Sequence, residues 1–160
     1  MKEHFVITVG REYGSGGRAI AKLVAQKLNV PFYDKELLTL AAQKSGICQE
    51  IFEHNDEKTT VSDMLPVTAG TGFGAGVGLG LQMPMNQRVF LAQFEVITNL
   101  AKEQSCVIVG RCADYVLRDM DHVTHIFLYA SLEKRVERIM RLEHVDADKA
   151  RELIRKTDKQ

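Results

Sequence analysis

Tryptophan is absent from the 160-residue chain, and proline and cysteine occur only three times each. The three cysteines, Cys48, Cys106 and Cys112, are odd in number and have no C-x-x-C spacing. A disulfide framework or a cysteine-rich zinc site is therefore not expected. No excess charge of either sign exists, since 21 Lys and Arg face 21 Asp and Glu. Such a balance does not advertise nucleic acid or an anionic membrane as a partner. No apolar run reaches spanning length. Met1 to His4 leads straight into a strand-like run without a signal-peptide pattern. Together with the cysteine usage, this sets the expectation of a cytoplasmic protein. The five histidines show no ligand spacing, so no resident metal is expected.

What is present suits a single domain over residues 1–160, with 45% hydrophobic residues for a core. A β-branched run at 5–9 predicts a buried strand ending at Gly10. A helix follows over 18–28, with Ile20, Leu23, Val24 and Leu28 expected on its buried face. Residues 30–33 predict a short edge strand, and Asp34 is a candidate N-cap for a helix ending near Gly46. A further helix is expected over 49–57. The stretch 58–84 lacks periodicity and has glycine at every second position from Gly70 to Gly80, which predicts a flexible insertion. Val89, Leu91, Ala92, Phe94, Ile97 and Leu100 describe a long helix. Strands at 107–109 and 123–129 and helices at 132–142 and 146–156 complete the pattern. Strands alternating with helices predict an α/β fold with a parallel sheet. In such sheets ligands bind beyond the carboxyl ends of the strands. The glycine turn after Val9, Asp34 after Tyr33, and Gly110-Arg111 after Val109 are all expected at that end.

The turn Gly10-Arg11-Glu12-Tyr13-Gly14-Ser15-Gly16-Gly17-Arg18 joins a strand to a helix. Backbone amides of such a loop, with the helix N-terminus behind them, suit a phosphate. The pattern departs from G-x-x-x-x-G-K-[ST]. With Gly16 as the second glycine, Gly17 stands where lysine is expected and Arg18 where the Mg²⁺-binding hydroxyl is expected. Arg11 or Arg18 could supply the missing positive charge. A dinucleotide fingerprint also fits: Gly14, Gly16 and Ala19 match G-x-G-x-x-[GA], and Asp34 lies 20 residues after Gly14. Against it, Arg11-Glu12-Tyr13 lengthens the loop between strand and fingerprint.

Four blocks resemble the cytidylate-kinase-like family in order. They are the turn 10–18, Val30-Pro31-Phe32-Tyr33-Asp34-Lys35-Glu36-Leu37, Val107-Ile108-Val109-Gly110-Arg111-Cys112-Ala113-Asp114-Tyr115, and Phe127-Leu128-Tyr129-Ala130-Ser131 with Glu133, Arg135 and Arg138. The resemblance implies a P-loop kinase-like sheet with a lid and an acceptor-binding insertion. It implies transfer of the γ-phosphoryl group of ATP, with Mg²⁺, to CMP or dCMP. Arg11, Gly14, Ser15, Gly16, Gly17 and Arg18 would hold the ATP phosphates, and Asp34, Arg111 and Asp114 the acceptor. Arg111, Arg18 and Arg155 are the catalytic candidates, and Arg138, Arg141, Arg151 and Arg155 the lid candidates. The family pattern also implies a continuation of the lid begun at 141–160, and a last strand and helix, beyond Gln160. The sheet edge left open would offer a homodimer contact.

Each candidate has a plainer alternative. Arg111 could pair with Asp114 or Asp119 on the surface, Asp34 could simply cap a helix, and the arginines of 135–155 could be solvated helix charges. Two other functions stay open: a nucleotide-binding or regulatory protein without turnover, and an NAD(P)-dependent Rossmann oxidoreductase.

Overall fold

The computed structural model describes residues 4–46 and 85–158. The expected helix at 49–57 and the glycine-rich stretch 58–84 lie outside the described residues. The elements are β1 (Val6–Arg11), α1 (Gly17–Leu28), β2 (Phe32–Tyr33), α2 (Glu36–Ser45), α3 (Met85–Glu103), β3 (Cys106–Val109), α4 (Ala113–Val116), β4 (Val123–Leu128), α5 (Leu132–Glu143) and α6 (Ala147–Thr157). The four strands form one parallel sheet in the order β2-β3-β1-β4. β1 runs two residues further than the run 5–9 suggests, because β4 continues beside it and pairs Gly10 with Phe127 and Arg11 with Leu128. Gly10 is needed there: a Cβ would lie 2.9 Å from the Phe127 ring.

The sheet has a core on each face. On one, α2 and α3 bring Leu37, Leu38, Ala41, Val89, Val96 and Ile97 onto Val6, Cys106 and Ile108. Burial there pushes the Cys106 thiol up to about 11. On the other face α1 seats Ala21 and Ala25 against Val9, Val107 and Val109. This shifts the expected helix face: Val24 packs on this core as expected, but Ile20, Leu23 and Leu28 are exposed, while Gly17, Ala21 and Ala25 are buried. Small side chains let the helix lie close to the strands, and the large ones point outward. β4 is one of the two edge strands among the described residues, and Ile126 and Phe127 within it are exposed.

Two caps follow the sequence. Asn29 ends α1 in the left-handed region, its amide on the carbonyls of Ala25 and Gln26. Asp146 opens α6 by accepting from the Lys149 amide at 2.8 Å. Asp146→Ala is expected to cost about 1 kcal/mol, read as a fall of a few degrees in melting temperature. The third cap does not form as expected. α2 starts at Glu36 with Lys35 in the capping position, and the Asp34 side chain is engaged elsewhere.

Candidate nucleotide site

The glycine turn closes much of itself. Ser15 is buried; its hydroxyl donates to the Glu12 carbonyl at 2.8 Å and accepts from the Gly17 amide at 3.3 Å. The Ser15 amide returns to the Glu12 carbonyl, the Glu12 amide donates to Leu128, and the Tyr13 amide donates to Asp158 at 2.9 Å. Ser15 therefore shapes the loop rather than facing a ligand. The amides of Gly16, Arg18 and Ala19 find no acceptor among the described residues. These are the open donors at the start of a helix, where an anion is favoured by both hydrogen bonding and the helix dipole. Gly14 and Gly16 have φ of 81° and 87°, a region glycine enters without penalty.

The loop is braced by a residue that sequence reasoning left unassigned. Arg135 of α5 is 93% buried at its side chain. Its Nε donates to the Tyr13 carbonyl at 2.8 Å, its Nη1 sits 3.0 Å from Glu12 Oε2, and its Nη2 pairs with Asp158. Glu12 also accepts from the Ala130 amide. One turn on, the Arg138 guanidinium lies against Gly16, in the space a Cβ would occupy. A cation thus sits beside the open amides. Arg11 is exposed, with its Cβ and Cδ laid over Gly17. Arg141, Arg151 and Arg155 are exposed, and Arg151 pairs with Asp148 on its own helix at 3.2 Å. No hydrogen bond or ion pair ties these three to the loop among the described residues.

The second half of the site is built on Asp34, a carboxylate with 4% side-chain exposure. Arg18 Nε lies 2.5 Å from its Oδ2, and Arg111 Nη2 lies 3.9 Å from its Oδ1. Three segments expected to meet at the strand ends therefore do meet. Arg111 is not the surface partner of Asp114 or Asp119; Asp119 pairs with Arg118, and Asp114 is exposed on α4. Arg111 is carried inward by an unusual backbone. Gly110, Arg111 and Cys112 all have positive φ, at 67°, 60° and 50°. Two consecutive non-glycine residues in this region store strain of the kind found at binding sites. Burial pulls the Arg111 guanidinium below its ordinary pKa, and the Asp34 carboxylate works against that shift.

Asp34 held between two guanidiniums is poorly placed to accept from a ribose hydroxyl, which argues against the dinucleotide fingerprint. A groove lined by His4, Lys102, Asp121 and His122 lies at the opposite end of the strands and contains none of the candidates. No helix among the described residues is long and apolar enough to cross a membrane.

A four-stranded parallel sheet flanked by helices, with an arginine–aspartate cluster at its carboxyl ends, defines an α/β protein. The chain belongs to the cytidylate kinase-like family, whose family model matches residues 6–160. It is similar over 98% of its length to 72% of an uncharacterized protein from Eubacterium ventriosum known from its crystal structure, with 27% identity and a TM-score of 0.64. No curated protein matches it.

Proposed function

We propose that the protein transfers a phosphoryl group from ATP to a pyrimidine nucleoside monophosphate, CMP or dCMP, giving the diphosphate and ADP. The observation that carries this reading is the convergence of Arg18 and Arg111 on buried Asp34, beside the open amides of Gly16, Arg18 and Ala19. It provides two anion positions, one for each substrate. Phosphoryl transfer depends on alignment and charge neutralisation more than on covalent chemistry. The α1 N-terminus and Arg138 would receive the ATP phosphates. Arg111, set beside Asp34, would fork onto the acceptor phosphate. Arg18 lies between the two groups and would neutralise charge on the phosphoryl in transit. Glu12 and Asp34 are both occupied by arginines, so Mg²⁺ would arrive on ATP as part of the substrate.

A nucleotide-binding protein without turnover is the second reading, favoured by Gly17 at the lysine position. Measuring ADP release with each nucleoside monophosphate separates the two. CMP- or dCMP-stimulated release is expected; ATP binding with no release for any acceptor would establish the second reading instead.

A further inference from the structure

Gln93 lies in the middle of the apolar face of α3, between Val89 one turn before it and Val96 and Ile97 one turn after. It is 94% buried, yet its Nε2 has no hydrogen-bond partner among the described residues. Turning the carboxamide over exchanges its ends without giving that position an acceptor. A buried amide donor left unmade is costly, on the order of 1–3 kcal/mol, so it calls for a partner that comes and goes.

Its place in the fold says where that partner would sit. α3 descends to Glu103, and the chain turns at Gln104 and Ser105 to rise through β3. Ala101 and Cys106 share the lower part of the core. From Ala101 back to Gln93 the helix climbs about 12 Å, and from Cys106 to Gly110 the strand climbs about 13 Å. Gln93 is therefore level with the loop that carries Arg111. Laterally, α3 packs on α2, whose Leu37 lies three residues past Asp34, and on α4, whose Ala113 lies two residues past Arg111. A neutral amide in so apolar a layer suits a flat uncharged heterocycle and not a phosphate, whose desolvation would go uncompensated there.

Building on the kinase reading, we propose that Gln93 is the floor of the acceptor pocket and donates a hydrogen bond from Nε2 to the pyrimidine base, at a ring carbonyl or ring nitrogen. The arginines hold the phosphate end and Gln93 reads the base end of the same molecule. This makes it a specificity-determining residue.

Calorimetric titration of the full chain with CMP and with ribose 5-phosphate, which lacks the base, tests the assignment. Wild type is expected to bind CMP more tightly than ribose 5-phosphate. Gln93→Leu should weaken CMP about tenfold and leave ribose 5-phosphate unchanged. Its melting temperature should hold or rise, because the unmade donor is gone. Gln93→Met keeps the length, removes the donor and should show the same selective loss, which covers the case of a leucine variant that folds poorly. Unchanged CMP affinity in both variants, or parallel loss of both ligands, overturns the proposal. Equal wild-type affinity for the two ligands overturns it while leaving the phosphate site intact. Failure of wild type to bind either ligand overturns the acceptor reading itself and the proposal with it.

Discussion

Arg135→Met is expected to lower the melting temperature by roughly 5–10 °C, the largest stability loss of any single arginine change in the described chain. The guanidinium is 93% buried and serves three groups from distant parts of the sequence: Glu12, the Tyr13 carbonyl and Asp158. Methionine fills much of the volume but leaves two carboxylates facing each other across an apolar side chain. Removing one partner of a fully buried charge pair costs about 3–5 kcal/mol. Here Glu12 and Asp158 keep 32% and 29% side-chain exposure, so water compensates part of the loss and about 2–3 kcal/mol is the reasonable figure. Thermal denaturation of wild type and variant measures the loss. A fall below about 1 kcal/mol would show that α5 is held to the loop by Val136 and Ile139 packing alone.

The second large effect is functional. Arg111→Ala is expected to reduce kcat/KM for the acceptor by about a hundredfold or more, with a much smaller change in the KM for ATP. On the proposed reading a forked arginine on a phosphate would be lost, and Asp34, 4% exposed, would be left with Arg18. Arg18 is 58% exposed at its side chain and can follow the freed carboxylate, which draws it off the transfer path. Arg111→Lys should recover little, because an ammonium cannot form the paired contacts of a planar fork. Steady-state kinetics with each substrate varied in turn decides the matter. An equal loss for both substrates would move Arg111 from acceptor binding to general support of the loop.

The order of elements was legible because period-2 and period-3.6 runs are separated by Gly, Asn and Asp at real ends, such as Asn29, Gly46 and Asp146. The convergence of the glycine turn, Asp34 and Arg111 was legible for a related reason: parallel strands place the segments that follow them at one end of the sheet. Three things were not. The buried face of α1 is made of Gly17, Ala21 and Ala25, and a pattern that weights large apolar residues selects Ile20 and Leu23 on the opposite side. Asp34 satisfies a capping rule locally, while its actual partners lie 16 residues back and far ahead in the chain. Arg135 is one of three regularly spaced arginines on α5, and nothing local separates it from Arg138 and Arg141. Its burial depends on Glu12 and Asp158, which only the folded chain brings to it. Gln93 escaped notice for the same reason, as one amide inside a run that reads as ordinary core.

The small-residue seam of α1 couples two tasks that most helices keep apart. The spacing set by Ala21 and Ala25 against Val9 and Val109 also sets how far the first turn projects over the sheet rim. A bulkier residue at either alanine would tilt the helix axis and swing the Arg18 and Ala19 amides off target, even in a variant that remains well folded. Along this helix, interior volume is a sighting adjustment, and substitutions tolerated for packing can still mis-aim the anion cradle.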